Sequence, residues 1–421
     1  MKAENAFPRA VPTGRVSVYF HIPFCTRKCA YCDFYSVPLA DNPAGTRSAP
    51  QTVLEAEIRQ FDYYLEQWRP SVIPTIYIGG GTPSVIPPEM LRKFLEEITR
   101  RLPAPPGEFT IEANPESLTR EFLSVCAASG LTRISLGLQS FDPRCLQALG
   151  RYATPEDVQR ALHLTDRFWK GELSLDLMYG IPGQTFRAAL ADAAQALEHS
   201  PGHISLYALT PEEGTPLYNR LQAGETPAIN ENRQEFIRAK VHRFLLERGY
   251  ENYEISSYAL PGKQCRHNTA YWKLEPYIGI GPAAVSTLPA AAGPVRLSGI
   301  RDMSAYIQNP CLPEVEHLSA RDFLADYILL GLRTSKGIDL NAFFRVFHLD
   351  FPRTFSRLVH KNRQFIAKIS NNDTAFTLTG RGRRVLNTIL VDFLIELDQL
   401  KYTSPPAWPD KDKPNSGAGI S

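Results

Sequence analysis

The chain has 421 residues, of which 43% are hydrophobic and 21% are charged, a composition typical of folded globular proteins rather than disordered ones. At about 150 residues per domain, this length predicts a large domain and a smaller one. The 46 Lys and Arg residues nearly balance the 44 Asp and Glu residues. A net charge of +2 gives no general attraction to nucleic acid or to an anionic membrane.

Cysteine usage and hydropathy indicate the compartment. The seven cysteines are too few and too uneven for a disulfide scaffold, and three of them fall within eight residues, at Cys25, Cys29 and Cys32. The first residues lack the apolar core of a signal peptide, and no apolar run approaches the roughly 18 residues of a membrane span. We therefore expect a cytoplasmic protein with free thiols and no membrane span.

From about residue 15 to 250, short β-branched or aromatic segments alternate with helical ones. Strands are predicted at 16–21, 75–80, 108–113, 132–137, 172–178 and 203–209. Helices are predicted near 52–68, 88–101, 118–129, 154–168, 185–199 and 231–248. This repetition indicates parallel strands joined by right-handed crossovers, hence an α/β fold. A complete or partial (β/α) barrel is favoured; an open doubly wound sheet is the alternative, which periodicity alone does not separate from it.

Polar and glycine-rich segments follow the predicted strands in turn. In chain order they read HIPFCTRKCAYCDF, GGGTPS, EANP, GLQSF and YGIPGQT. Both candidate architectures place chemistry at the carboxyl ends of their strands. The sequence therefore predicts one site at one mouth, to which many strands contribute.

The rest of the chain divides by composition. Residues 1–14 form an N-terminal extension, 15–250 the barrel, and 251–318 a loop-rich connector that contains the segment CRHNTAYW. In 319–400, helices are followed by two strands, FIAKIS and AFTLT, and a last helix, a pattern typical of a small winged-helix-like α+β module. Residues 401–421 are rich in Pro, Gly and Ser, which predicts a disordered tail.

The spacing Cys25-x3-Cys29-x2-Cys32 is the strongest chemical signal. Three thiolates this close together can each ligate one iron of a [4Fe–4S] cluster and leave the fourth iron open. The alternative is a structural zinc site, which normally needs a fourth Cys or His and often a second C-x2-C pair. The sequence has no such second pair, so the cluster is favoured.

A CxxxCxxC motif directly after a first barrel strand resembles the radical S-adenosylmethionine (SAM) superfamily. This resemblance implies that the open iron binds SAM and that one electron from the cluster cleaves it. It also implies that Tyr31 lies near the adenine, with a packed aromatic as the alternative. It implies that the turn containing Gly80 and Gly81 lines the methionine end of SAM, although a tight structural turn would explain these glycines when they are taken alone.

Further motifs resemble the oxygen-independent coproporphyrinogen III oxidase family over about residues 15–395. They are Tyr19-x-His21-Ile-Pro-Phe-Cys25, Gly80-Gly81-Thr82-Pro83, Glu112-Ala-Asn-Pro115, Gln139-Ser-Phe141 and Asp176-x-x-Tyr-Gly180. By matching position, the resemblance assigns SAM binding to Tyr19, Tyr31, Gly80, Gly81, Thr82, Glu112, Gln139, Arg151 and Asp176.

Two branches of that family differ after the third cysteine. The oxidases carry a fourth cysteine two residues later, whereas here Cys32 is followed by Asp33-Phe34, as in the HemW-type branch of haem chaperones. The resemblance therefore implies haem or porphyrin as a ligand and a haem-acceptor protein as a partner. It makes His267, in Cys265-Arg-His267-Asn268, the candidate haem contact, with a structural loop histidine as the alternative.

Two other functions stay open. One is the oxidase itself, which would decarboxylate coproporphyrinogen with SAM. The other is tRNA modification by a radical SAM enzyme, but the only locally basic segment is Arg381-Gly-Arg383-Arg384, and the start of a solvated helix explains it. We therefore expect no nucleic-acid partner. The sequence does not identify the haem acceptor or the electron donor.

Overall fold

The computed structural model describes residues 8–39, 49–227, 230–367, 374–400, 402 and 408. In these residues the strands form one twelve-stranded sheet and two small sheets. The strands are β1 (Ser17–Ile22), β2 (Phe24–Cys25), β3 (Val37–Pro38), β4 (Thr75–Gly80), β5 (Glu108–Ala113), β6 (Arg133–Gln139), β7 (Glu172–Tyr179), β8 (His203–Ala208), β9 (Glu251–Asn252), β10 (Ser257–Ala259), β11 (Tyr277–Ile280), β12 (Val285–Ala290), β13 (Gly293–Ser298), β14 (Glu314–His317), β15 (Ile338–Asp339) and β16 (Ala375–Phe376).

The helices of the barrel region alternate with its strands. They are α1 (Ala49–Trp68), α2 (Pro88–Arg100), α3 (Arg120–Ala128), α4 (Pro143–Ala148), α5 (Pro155–Phe168), α6 (Phe186–Glu198), α7 (Pro216–Gln222) and α8 (Glu231–Leu246). The later helices are α9 (Arg266–Trp272), α10 (Met303–Gln308), α11 (Ala320–Leu332), α12 (Leu340–Phe347), α13 (Phe351–Thr354), α14 (Ser356–Lys361), α15 (Gly380–Arg384) and α16 (Leu386–Leu400). None of these helices is long and apolar enough to cross a membrane.

The parallel part of the large sheet confirms the predicted partial (β/α) barrel. Its order is β11-β1-β4-β5-β6-β7-β8, with every neighbouring pair parallel. From β1 to β8 the neighbouring parallel strands follow one another in chain order. In a doubly wound sheet this strand order would reverse near the centre of the sheet. All six strands expected from the sequence are present. The barrel does not close, because β1 and β8 do not pair with each other. Instead, β1 pairs with β11 and β8 pairs with β10.

Alternation along the strands separates an apolar outer face from a polar inner face. On β1, Phe20 points outward and packs edge-on against Phe61 of α1 and Phe94 of α2. Its neighbours Tyr19 and His21 point inward, and the register pairs them with Tyr77 and Gly79 of β4. Because side chains paired in this way share a face, the inward positions of all seven strands meet inside the barrel.

The predicted loop-rich connector requires a correction. Residues 251–318 supply six strands, β9 to β14, and two helices, all within or against the large sheet. The buried segment Tyr277–Ile280 forms β11 and pairs in parallel with β1. The segment is short and lies in a glycine-rich stretch, so it lacks the alternation of side chains from which a strand can be predicted.

The C-terminal module has its own hydrophobic core, built mainly from leucines and phenylalanines of its helices and the segments between them. The predicted hairpin is present in part: Ile366 bridges Leu378, and β16 also pairs with β15, while residues 368–373 lie outside the described residues. The predicted N-terminal extension is described from residue 8, and Ala10 bridges Ala290. The predicted disordered tail lies outside the described residues except for Tyr402 and Trp408, which pack against Phe347 and Phe323.

Candidate functional site

The three clustered cysteines lie on the loop that leaves β1 at the carboxyl end of the barrel. The loop is shaped by its own backbone: β2 pairs with β3, Val37 N–H donates to Pro23 O at 2.7 Å, and Cys32 N–H donates to Cys29 O at 3.3 Å. All three cysteine side chains are partly exposed. The arrangement presents three thiols on one tight loop at the barrel mouth.

Two neighbouring side chains donate hydrogen bonds to these sulfur atoms. Thr82 Oγ1 lies 3.5 Å from Cys25 Sγ, and Arg151 Nη1 lies 3.7 Å from Cys29 Sγ. Burial raises the pKa of Cys25 and raises that of Cys32 to about 11, so these thiolates need a metal cation to be stable at neutral pH.

The set of available ligands favours a cluster over a zinc ion. No three His, Cys, Asp or Glu side chains among the described residues are grouped as a single metal ion requires. In a [4Fe–4S] cluster each thiolate binds a different iron, so the three sulfur atoms stand further apart than around one zinc ion. The three cysteines and their two hydrogen-bond donors therefore fit a cluster.

The glycine-rich turn after β4 lies directly against the start of the cysteine loop. Gly81 N–H donates to Ile22 O at 2.8 Å, and Thr82 N–H donates to Phe24 O at 2.7 Å. Gly80 has a φ of +108°, and a Cβ atom on it would lie 2.6 Å from the ring of His21. A Cβ atom on Gly81 would lie 2.4 Å from Phe24 O. Only glycine permits this close approach of the two segments.

Two carboxyl groups face the inside of the barrel, and one of them contacts this turn. Glu112 of β5 accepts hydrogen bonds from Tyr77 Oη at 2.7 Å and from Gly80 N at 3.1 Å. Asp176 of β7 accepts from Ser135 Oγ at 3.0 Å. Burial raises the pKa of Glu112 to about 7, with the charge of Asp176 adding to the effect, and burial raises the pKa of Asp176 to about 6. The pair is suited to a cationic ligand, which would favour both ionised forms.

Arg151 connects the cysteine loop to the strand ends. Its side chain is 4% exposed. Nη2 donates to Gly137 O at 2.7 Å and lies 3.7 Å from Glu116 Oε2, while Nε has no hydrogen-bond partner among the described residues. Nearby, Gln139 ends β6 at an irregularity in its pairing with β7 and has a φ of +67°, a left-handed conformation that is strained for this residue.

The two predicted tyrosines lie at different depths. Tyr19 Oη is 2.9 Å from His21 Nδ1, and His21 Nε2 is 2.8 Å from the carbonyl oxygen of Tyr35. Since a carbonyl only accepts, His21 Nε2 carries the proton and Nδ1 accepts from Tyr19. Tyr31 packs against a small apolar cluster that contains Cys145 and Met178. Both residues border the mouth, Tyr19 one layer below the cysteine loop.

His267 lies away from the other predicted site residues, and its contact with haem stays a prediction. It is fully buried at the opposite, amino-terminal end of the barrel. Its Nδ1 is 2.8 Å from Thr75 Oγ1, its Nε2 is 2.8 Å from Tyr271 Oη, and its ring stacks on Tyr77 with centroids 5.2 Å apart. Burial lowers the pKa of His267 to about 3, so the ring is neutral. A porphyrin would have to displace these partners, and the alternative of a structural histidine describes the arrangement.

The whole Cys265–Asn268 segment closes this lower end of the barrel. Glu108 accepts from the backbone N–H groups of Arg266 at 3.0 Å and His267 at 2.9 Å, and thereby caps α9. Arg133 lies 3.4 Å from the same carboxylate, and its Nη2 donates to Lys263 O at 3.0 Å. The segment therefore forms a plug, which we call the base plug and define as residues 263–272.

Sequence reasoning missed Tyr77 and Asn114 at the mouth. Asn114 Nδ2 donates to Thr82 Oγ1 at 3.0 Å, and Tyr77 binds Glu112. A signal for Tyr77 was present in the sequence. Tyr77 lies two positions from Thr75 and two from Gly79 on β4, so it shares the inward face with the glycine turn.

Comparisons with known proteins show what the chain is similar to. Residues 19–195 match the Radical SAM superfamily model. The chain is 32% identical over 387 residues to "Heme chaperone HemW" of Lactococcus lactis, which covers 90% of this chain and 97% of that protein. It is 32% identical over 389 residues to the protein of the same name from Haemophilus influenzae, covering 90% of this chain and 98% of that protein.

The fold also matches a solved structure. The coproporphyrinogen III oxidase HemN of Escherichia coli, a radical SAM enzyme, superposes with a TM-score of 0.73 at 17% identity, over 92% of this chain and 91% of the other. At that identity the match concerns the fold alone. The superfamily match implies a [4Fe–4S] cluster and SAM as cofactors.

Proposed function

Since the chain belongs to the HemW family of radical SAM proteins, we propose that it is a haem chaperone that binds haem and passes it to an acceptor protein. The observation that carries this proposal is the 32% identity to a haem chaperone along 97% of that protein's length. Asp33-Phe34 after the third cysteine supports it, because the oxidase branch has a further cysteine at this place.

At the mouth we assign cluster binding to Cys25, Cys29 and Cys32. The cluster and SAM, when bound, supply a redox-active iron centre with a cationic ligand. Arg151 places a positive charge beside Cys29 and offsets part of the negative charge of thiolate ligands. Thr82 donates to Cys25 and fixes the orientation of its sulfur atom.

We assign SAM binding to the side chains and turn around the two carboxyl groups. Glu112 and Asp176 provide negative charge inside a largely enclosed mouth, where it attracts a cation more strongly than in bulk water. Gly80 and Gly81 keep the turn free of side chains, so that a ligand can approach the backbone. The remaining residues assigned to the site are Tyr19, Tyr31, Gln139 and Arg151.

The test is a comparison of two activities on one preparation. The full chain is reconstituted anaerobically with iron and sulfide, and haem is titrated while the Soret band is followed. We expect saturable haem binding, and no protoporphyrinogen from coproporphyrinogen with SAM and a reductant. Product formation would establish the oxidase instead. Absence of haem binding would remove the chaperone function and leave the cofactor site standing.

One variant tests the placement of haem. His267→Leu removes both ring nitrogens from the base plug. Because His267 has no exposed surface, we expect haem to bind this variant with unchanged affinity. Loss of haem affinity in a variant that still unfolds cooperatively would restore His267 as a ligand.

A further inference from the structure

Tyr77 makes the only side-chain hydrogen bond that the described residues give to Glu112. The phenol donates to Glu112 Oε1 at 2.7 Å, and the other carboxylate oxygen accepts from Gly80 N at 3.1 Å. The carboxylate is therefore held between a side chain below it and the glycine turn above it. A Cβ atom on Gly79 would lie 2.8 Å from Glu112 Cδ, so the carboxylate lies directly against this turn.

Tyr77 is in turn held by the base plug. Its ring stacks on His267 at 5.2 Å with an interplanar angle of 29°. Thr75 Oγ1 donates to Ser17 Oγ at 2.9 Å, so Thr75 accepts from His267 Nδ1. His267 Nε2 then accepts from Tyr271 Oη at 2.8 Å. Each polar atom of the imidazole has a partner, which fixes the ring and with it the plane on which Tyr77 rests.

We propose that Tyr77 is a positioning residue for SAM: anchored on His267, it holds the Glu112 carboxylate against the Gly79–Gly81 turn in its ionised form. This inference deepens the proposed function and rests on its assignment of SAM to the mouth. It also gives the base plug a role, because the plug sets the geometry of a carboxylate at the other end of the barrel.

The charge state of Glu112 follows from the groups that face it. Besides Tyr77 of β4, these are Tyr19 of β1, Asp176 of β7 and Tyr207 of β8. Tyr19 and Tyr77 stay neutral, because burial raises their pKa values well above the usual range. Burial and the charge of Asp176 work against ionisation of Glu112, whereas the hydrogen bond from Tyr77 lowers its pKa. Deleting this hydroxyl should therefore make Glu112 harder to ionise.

The experiment is a pH profile of SAM binding by the full, anaerobically reconstituted chain. SAM is titrated between pH 6 and pH 9 while the electron paramagnetic resonance spectrum of the reduced cluster is followed. In Tyr77→Phe we expect SAM affinity at pH 7 to fall about tenfold, as for loss of a hydrogen bond to a charged group. We expect the pH at which affinity is half-maximal to rise by about one unit.

Two further variants test whether Tyr77 acts by positioning Glu112 or only by packing in the protein interior. Tyr306→Phe deletes a buried hydroxyl of the same kind, which donates to Gln60 Oε1 at 2.7 Å on α1, and should leave the profile unchanged. In a Glu112→Gln background, Tyr77→Phe should cause no further shift of the pH midpoint, because the titrating group is absent. Asp176 still titrates in Glu112→Gln and in Glu112→Gln/Tyr77→Phe, so its contribution to the pH profile serves as an internal reference for the comparison of these two variants.

The outcomes are distinct. If Tyr77→Phe lowers affinity equally at every pH, or shifts the midpoint equally in the Glu112→Gln background, Tyr77 serves only packing and the inference is wrong. If the wild-type spectrum responds to SAM and the Tyr77→Phe profile matches it, the inference fails while the proposed SAM site stands. If the wild-type spectrum, with the cluster intact, does not respond to SAM, both fail.

Discussion

The two ends of the barrel use the same residue types in different ways. At the base, Glu108 contacts Arg133 and caps α9, Cys265 Sγ donates to Glu108 at 3.4 Å, and His203 is hydrogen-bonded through both ring nitrogens. At the mouth, Arg151 and the clustered cysteines are only partly satisfied by the protein. The mouth therefore combines spare bonding capacity with two carboxylates that lack a cationic partner, whereas the spare capacity at the base consists of donors, namely Arg133 Nε and Nη1 and Trp272 Nε1.

This difference shows why residue type alone does not identify a site. Cys265-Arg-His267-Asn268 looks chemically rich as a sequence, yet Cys265 Sγ bonds to Glu108 and the His267 ring bonds to Thr75 and Tyr271. By contrast, burial raises the pKa of Glu112 to about 7 and that of Asp176 to about 6, and no cationic side chain acts to lower them. A carboxylate without a cationic partner is the better marker of function.

The largest expected effect contrasts the cysteines of the two ends. Replacing Cys25, Cys29 or Cys32 with Ala should abolish the broad visible absorbance of the reconstituted protein, because each removes an iron ligand. Cys265→Ala is the matched control at the base and should keep the full absorbance. Iron content and the visible spectrum measure the result. A bound cluster in any of the three mouth variants would refute the ligand assignment.

A second contrast pairs one glutamate from each end. Glu108→Gln leaves the buried Arg133 guanidinium without its counter-charge and should lower the free energy of unfolding by about 3–5 kcal/mol. Glu112→Gln should leave the stability unchanged or raise it, because this carboxylate has no cationic partner. Urea denaturation at pH 7 measures both. Equal losses in the two variants would remove the distinction between the mouth and the base.

Local patterns in the sequence predicted much of this arrangement. The strands expected at 75–80 and 108–113 coincide with Thr75–Gly80 and Glu108–Ala113, because alternation within six residues determines them. The cysteine spacing likewise identified the cluster loop without any tertiary information. Features that depend on a few consecutive residues could therefore be predicted.

Contacts between distant segments could not be predicted in this way. The strand β11 pairs with β1, although about 250 residues separate the two along the chain. No local sequence pattern near Tyr277 identifies β1 as its partner. His267 is buried because it meets Thr75, 192 positions earlier, and Tyr77. A single sequence contains these pairings only implicitly, so a buried structural histidine and an exposed ligand look alike in it.

The mouth carboxyl groups should also make the stability of the cofactor-free chain depend on pH. Their pKa values are raised on folding, so the folded state keeps protons that the unfolded state releases between about pH 4 and pH 7. The free energy of unfolding should therefore fall as the pH rises through this range, by about 2 kcal/mol more in the wild type than in Glu112→Gln/Asp176→Asn. Denaturation at a series of pH values measures the difference, and parallel curves would contradict it.

Glu57→Gln should have the smallest effect on SAM binding, and this variant sets a limit to the comparison between mouth and base. Glu57 is fully buried on α1, and neither carboxyl oxygen has a hydrogen-bond partner among the described residues. Burial raises its pKa well above the usual range, so the folded state keeps a proton that the unfolded chain releases above about pH 4.5. Glu57→Gln should therefore stabilise the protein at pH 8, and the gain should vanish near pH 4.

Glu55→Gln, on the exposed side of the same helix, is the control and should change the stability little at either pH. The SAM-induced spectral change should be identical in the wild type and in Glu57→Gln, because a carboxyl group can lack partners without facing the mouth. If Glu57→Gln weakens SAM binding, the site extends behind β1 to α1, and its boundary at the inward face of the strands is wrong. A stability gain alone would show that an unpartnered carboxyl group indicates a ligand only where it also faces the open end of the barrel.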